Sequence, residues 1–172
     1  MTEQQEYTVR TKYPDAELRD YARCTVADVT LTGSAERVGN RAFGPLVRYI
    51  SAKDLAMTAP VLQAEASAEN QWTVSFVLPG GKSVADYPLP DDAQVTLREI
   101  PEHLAMAAQW TGRWTYSSVE QHTRLLRQSI AAAGLREVGA PVWARYDPPW
   151  KPWFLRRNEV LIEVATDAPG TD

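Results

Sequence analysis

The sequence predicts an α+β fold: two helices covering one face of a curved antiparallel sheet or open barrel, with a ββαββ order that appears twice. Three observations predict it. Two stretches, near Glu36 to Ile50 and Ser118 to Ala133, carry apolar residues at spacings of three and four, the stripe of an amphipathic helix. About eight short segments alternate bulky and polar residues, as half-buried strands do. The order strand–strand–helix–strand–strand occurs on both sides of a proline-rich crossing at Ser83 to Asp92.

The elements follow in order. Met1 to Gln5 is polar and reads as a disordered lead-in. Tyr7 to Lys12 alternates as a strand and stops at Tyr13-Pro14, and Leu18 to Val29 supplies a second extended segment. After Gly33-Ser34, the residues Val38, Ala42, Leu46, Tyr49 and Ile50 share one helical face. Gly44-Pro45 predicts a kink or irregular turn there, because proline removes a backbone donor and crowds the preceding turn. Thr58 to Ala64 and Trp72 to Leu78 are strands, the latter ended by Pro79-Gly80-Gly81. Past the crossing come strands at Gln94 to Ile100 and Leu104 to Trp110. Ser117 with Glu120 makes a capping-box pattern ahead of a second apolar stripe of Leu125, Leu126, Ile130 and Ala133, and Gly134 is placed to end that helix. Trp143 to Tyr146 and Glu159 to Val164 close the chain. The reading is one domain over 6–165, with flexible termini at 1–5 and 166–172.

Composition narrows the function. With 172 residues, the chain can bury a core without a staple. Its 22 acidic and 18 basic residues give a net charge of -4, which offers no broad cationic field for a nucleic-acid backbone. The lone Cys24 removes any disulfide framework or multi-thiolate zinc site and reads as a small buried side chain. No apolar run is long enough to span a bilayer, and the expectation is a cytoplasmic protein. Gly80-Gly81-Lys82-Ser83 lacks the upstream glycine of a phosphate loop.

Few residues could carry chemistry. His103, at a turn, and His122, on the second helix, are the two histidines; both read first as solvated side chains and second as weak candidates for an axial iron ligand. The chain holds 14 Arg against 4 Lys, and Arg37, Arg41 and Arg48 lie on or near the first helix, where bidentate forks suit carboxylates. Met57 follows that helix, and its flexible thioether suits either the core or a flat conjugated ligand. The densest anomaly is Asp147 to Glu159, where Pro148, Pro149 and Pro152 stiffen a loop bearing Trp150, Trp153 and Phe154. It reads equally as a ligand lid and as a loop folded back with its aromatics buried. Glu159, beside Arg156 and Arg157, is either an ion pair or a pocket carboxylate.

These residues resemble the SOUL haem-binding protein family over nearly the whole chain. The pieces that carry the resemblance are Tyr7-Thr8-Val9-Arg10 with Tyr13-Pro14; Ala42-Phe43 through Leu46 to Tyr49-Ile50; Met57-Thr58-Ala59-Pro60-Val61; Val74 to Pro79; Pro88-Leu89-Pro90; and Ala144 to Trp150 leading to Arg156-Arg157-Asn158-Glu159-Val160. The resemblance implies a distorted antiparallel β-barrel with two helices, built as a pseudo-twofold ββαββ repeat, and a cofactor, haem or another tetrapyrrole, held in an apolar groove between the first helix and the late loop. Carried onto this chain, the wall is Phe43, Leu46, Val47, Met57, Trp150 and Trp153, with Arg41 and Arg48 near the propionates. The histidine proposed as an iron ligand in some relatives has no counterpart in the first helix, which offers Asn40 and Arg41, so the resemblance allows groove binding without axial ligation. The expected function is a carrier, buffer or sensor of a small hydrophobic ligand rather than an enzyme. The alternatives are a hydrolase or tetrapyrrole-modifying enzyme with Glu159 as acid/base, and an effector-binding module without haem.

Overall fold

The computed structural model describes residues 2–166. Nine strands form one continuous antiparallel path in the order β2-β3-β9-β12-β11-β6-β7-β4-β8. Their ranges are β2 Tyr7–Lys12, β3 Glu17–Tyr21, β4 Cys24–Thr32, β6 Val61–Glu65, β7 Gln71–Val77, β8 Thr96–Ile100, β9 His103–Thr111, β11 Val142–Arg145 and β12 Arg157–Thr166. Helix α1 spans Ala35–Ala52 and α2 Tyr116–Ala132. Leaving aside the short strands Thr58–Ala59 and Leu135–Glu137, the chain order is two runs, β3-β4-α1-β6-β7 and β8-β9-α2-β11-β12. They meet at the β11–β6 pair, and each lends its first strand to the other, since β3 bonds β9 and β8 bonds β4. The path is open, with β2 and β8 at its ends, so the sheet is curled rather than closed into a full barrel.

Strand alternation sorts side chains onto two faces. On β12, Val160, Ile162 and Val164 join the main core under both helices, while Leu161 joins a second cluster on the opposite face. That cluster holds Tyr21, Cys24, Val26, Leu62, Val77, Ala105, Ala107 and Ala144. No helical residue belongs to it, so its burial comes from the sheet curling on itself; it is the inner face.

Several local expectations are corrected. The polar lead-in is ordered in part: Glu3–Gln4 forms β1, pairs in parallel with β5 (Thr58–Ala59), and leaves Gln5 buried. Helix α1 runs through Gly44-Pro45 as one helix, with Pro45 buried against the core. The cap of α2 is Thr115, whose hydroxyl accepts from the Ser118 N–H at 3.1 Å; Ser117 lies inside the helix. A short strand β10, Leu135–Glu137, follows Gly134, whose φ of +70° turns the chain out of α2. Thr166 ends β12, and the rest of the expected tail lies outside the described residues.

Gly39 marks where α1 meets the sheet. A Cβ there would lie 2.8 Å from Arg145 Nη2 and 3.1 Å from Gln63 Oε1. Arg145 cannot swing away cheaply, because it donates to Gln63 Oε1 at 2.8 Å and stacks 4.7 Å over Trp114. Helix propensity alone would make Gly39→Ala stabilising by about 1 kcal/mol. The clash reverses the sign, and thermal denaturation of Gly39→Ala should show a loss of about 1–2 kcal/mol, in the range of overpacking.

Candidate ligand-binding site

The late loop, 146–156, is braced from within. Asp147 accepts from the Arg157 backbone N–H and from Lys151 Nζ, each at 2.7 Å. Arg156 donates to the Lys151 carbonyl at 2.8 Å and to the Pro149 carbonyl. Trp153–Leu155 forms a 3-10 turn lying against β9. The loop's polar groups thus turn inward and its apolar groups outward. Trp150 is 84% exposed and Trp153 48%, with Phe154 and Leu155 more than half exposed. Trp153 meets Phe154 edge-on at 5.7 Å, and the Arg113 guanidinium lies 5.1 Å over the Trp153 ring.

The first-helix residues predicted to face them point elsewhere. Leu46 is fully buried in the main core, closed to any ligand in this conformation, and Val47 packs against the same core. Phe43 and Met57 are exposed, with Phe43 edge-on to Phe76 at 5.3 Å. Arg41 donates to the Thr32 carbonyl at 3.2 Å, and Arg48 lies 3.8 Å from Asp92. Among the described residues, no hydrogen bond, ion pair or ring contact joins α1 to the late loop.

Glu159 is buried at 0% exposure on the inner face. Arg19 grips both its oxygens, at 2.8 and 2.9 Å, and Arg157 Nη2 donates to Oε1 at 2.7 Å. Arg19 also bonds Glu17 and Tyr21 and lies 4.2 Å over the Tyr7 ring. Burial alone would raise the Glu159 pKa, but the two guanidinium groups outweigh it and hold the carboxyl below its ordinary range. Burial likewise opposes the Arg19 charge, and its bonds to Glu159 and Tyr21 restore it. Burial raises Tyr21 and Tyr146, so both stay neutral phenols. This is an ion-pair carboxylate with its lone pairs engaged, unlike a general base poised near neutrality. Arg157 is one of the two partners expected from the sequence, Arg156 is spent on loop carbonyls, and Arg19 was not foreseen.

Two clefts flank α2. One, of about 330 Å³, is lined by the aromatics Trp72, Trp143 and Tyr116 and by the charged Glu65, Glu120, Arg124 and Arg127. The other, of about 470 Å³, lies between the Tyr13-Pro14 turn, Ala107 and Ala108 of β9, and His122 and Leu125 of α2, with Glu17 and Arg19 at its side. Both volumes suit a small molecule. His122 is therefore no solvated side chain: it is half-buried and stacks on Trp110 at 4.0 Å and 7°. Leu125, expected in the core, is exposed beside it. His103 stacks on Tyr21 at 5.2 Å, with Nδ1 2.8 Å from the Pro101 carbonyl, and lines neither cleft.

The model of the SOUL heme-binding protein family matches residues 2–163. The chain belongs to the SOUL family. No curated protein matches it. Among solved structures it is similar to EcmrR in its DNA complex, with a TM-score of 0.69 and 15% identity over 88% of this chain. It spans only 57% of that EcmrR chain. It is also similar to a hydrolase from Listeria innocua, with a TM-score of 0.62 and 13% identity over 91% of this chain and 94% of the other. A third likeness is to SAV2435 bound to tetraphenylphosphonium, with a TM-score of 0.53 and 13% identity over 93% and 94% of the two chains. At such identities the likeness is one of fold. Among the described residues of this SOUL protein, no helix is long and apolar enough to cross a membrane.

Two predictions follow from the buried groups. Glu159→Gln leaves Arg19 buried with half its partner gone, so urea unfolding at neutral pH should show a loss of about 3–5 kcal/mol. Because the folded carboxyl titrates below its ordinary 4.5, its contribution is full above that value and fades as pH falls through the lower folded value. The variant's stability should therefore change less than that of wild type across that acid window. Cys24 is 5% exposed, and burial pushes its thiol up to about 11. A thiol reagent at pH 7–8 should label it only as fast as the protein opens, and rapid native labelling would contradict this placement.

Proposed function

We propose that this SOUL protein binds a tetrapyrrole of the haem or porphyrin type, as a carrier, buffer or sensor, on the apolar surface of its late loop and the adjoining β9–α2 corner. The observation that carries this reading is the braced loop holding Trp150, Trp153, Phe154 and Leu155 outside the core. A contiguous apolar surface kept exposed by rigid bonding marks a binding surface, and it suits a flat conjugated ligand, since aromatic rings stack with little ordering cost. The corner is tied to the loop: the Gly112 N–H donates to the Arg156 carbonyl at 3.2 Å, and the Asn158 amide donates to the Gly112 carbonyl at 2.9 Å. Arg113, already over Trp153, is the cation best placed for a propionate, in preference to the predicted Arg41 and Arg48. The residues present thus fit the apolar body and the acidic edge of the macrocycle.

Two other readings lack such support. An enzyme using Glu159 would need a carboxylate free to take a proton, and this one is held by Arg19 and Arg157. A site for a cation such as the tetraphenylphosphonium bound by SAV2435 would be served by an unneutralised carboxylate, and the inner-face Glu159 is already neutralised by Arg19 and Arg157.

Fluorescence and absorbance titration with protoporphyrin IX tests the proposal. Trp153→Ala and Trp150→Ala should each weaken binding by about 1–3 kcal/mol, the cost of losing a large contact residue. Arg113→Ala should cost less, with its effect shrinking at high salt, while Arg41→Ala and Glu36→Ala serve as unaffected controls. Unchanged affinity in both tryptophan variants removes the loop from the site.

A further inference from the structure

We propose that the cleft of about 330 Å³ between α2 and the β6–β7–β11 part of the sheet binds a small zwitterion, an α-amino acid or dipeptide with a large apolar side chain. Three strands and one helix build it. Trp143 comes from β11, Trp72 from β7, and Glu65 from the end of β6, opposite Trp72 in the ladder. Tyr116 opens α2, and Glu120 and Arg124 follow it on one face of the helix. The aromatic wall is fixed: Trp72 meets Trp143 at 4.8 Å, and Trp143 meets Tyr116 edge-on at 6.1 Å. Both tryptophans belong to the core and line the cleft, while Tyr116 is 46% exposed. A rigid aromatic wall receives an apolar side chain at little ordering cost. None of these residues belongs to the late loop, so the site stands apart from the tetrapyrrole surface.

The charges around the wall select what else the ligand carries. Glu120 and Arg124 are one turn apart, the spacing at which opposite charges pair on a helix. Among the described residues no ion pair joins them, and Glu65 makes none either. Arg127, by contrast, is met by Glu137 at 3.2 Å. The Tyr116 phenol is raised above its ordinary value, first by the Glu120 side chain, then by burial, with Glu65 adding to it, so both carboxylates act at the Tyr116 end. Arg124 and Arg127 lie further along α2. An ammonium group suits the acidic end, and a carboxylate suits the Arg124 fork. A plain amine leaves Arg124 unmet, and a plain acid faces two carboxylates. A zwitterion answers both, and its zero net charge matches a lining of two acids and two arginines. The cleft of about 470 Å³ offers no such set, because its Arg19 is already held by Glu17 and Glu159.

Isothermal titration calorimetry of the full chain at neutral pH tests this. The probes are L-phenylalanine and phenylalanyl-phenylalanine as zwitterions, phenethylamine as the plain amine and 3-phenylpropionate as the plain acid. At least one zwitterion should bind about fivefold or more tightly than the amine and the acid. Whichever zwitterion binds more tightly identifies the source as amino acid or peptide. Glu120→Gln and Arg124→Gln should each weaken that zwitterion about fivefold, the upper end for a solvent-exposed charge pair. Tyr116→Ala should weaken it at least as much, with circular dichroism reporting the fold, and Glu36→Ala on α1 should match wild type. Protoporphyrin IX affinity should hold in Glu120→Gln and Arg124→Gln, which separates the fate of this site from that of the tetrapyrrole surface. The proposal is overturned if wild type binds neither zwitterion at millimolar concentration. It is equally overturned if the amine or the acid alone binds as tightly as the zwitterion, or if both folded charge variants keep the wild-type affinity.

Discussion

The arrangement of this molecule depends on the buried grip of Arg19 on Glu159. Arg19 sits on β3 and Glu159 on β12, and β9 runs between them: Arg19 is opposite Ala105 and Glu159 opposite Gln109. The bidentate bond therefore spans three strands and ties together both ββαββ runs. Removing two charges from water costs several kcal/mol per ion, which only good geometry and further hydrogen bonds offset. Here Arg157, Tyr21 and Glu17 supply those bonds. What the pair contributes beyond energy is register. A one-residue slip of β3 would send Arg19 to the helix side, into a core of Leu18, Met106 and Ile162, and expose Leu18 to the ionic cluster.

That choice decides where a ligand can go. On the inner face Tyr7 and Tyr146 stack on guanidinium groups and the Glu159 carboxylate is neutralised, while the buried Tyr146 hydroxyl has no hydrogen-bond partner among the described residues. The large apolar side chains left exposed lie on the outside, most densely at the late loop. The same economy explains the loop's exposed aromatics. Asp147 and Arg156 consume the backbone and side-chain polarity of 147–157, so the loop keeps its shape without burying its rings.

How much of this was legible in the sequence depended on distance along the chain. Strand β2 has the predicted bounds, Tyr7–Lys12, and alternates in burial over its first four residues, and all five apolar positions of the α1 stripe are buried. Both signals are local. On α2 the stripe was misplaced, because Leu125 and Leu126 are adjacent and only one can face inward. The buried ridge is Val119, Thr123, Leu126 and Ile130, which rotates Leu125 outward and His122 onto Trp110. A helix containing Thr123 on its buried ridge gives a weak hydrophobic signal, and the stacking partner lies on a different element. Arg19 was illegible for a stronger reason. In Glu17-Leu18-Arg19-Asp20-Tyr21 it has the pattern of a solvent-facing residue, and its partner is 140 positions away. The predicted groove failed to assemble for a similar reason: the sequence shows two apolar groups, and only the topology shows that α1 packs on β4 and β7 while the late loop lies on β9.

The exchange of first strands gives the topology its last consequence. Because β3 completes the second run and β8 the first, each helix packs on a sheet to which the other run contributes. The corner that holds Trp110, Arg113 and the start of α2 is therefore set by contacts from both: Gly112 and Trp110 against β12, and Ala107 of the same strand against Glu17 of β3. A cleft between the β2–β3 turn and α2 exists only because β3 stops at Glu17, opposite Ala107, while β9 continues to Thr111. The overhang leaves one edge of β9 unpaired by β3 over 108–111, and His122 stacks on Trp110 in that segment. That cleft is thus a product of unequal strand lengths across the joint between the two runs.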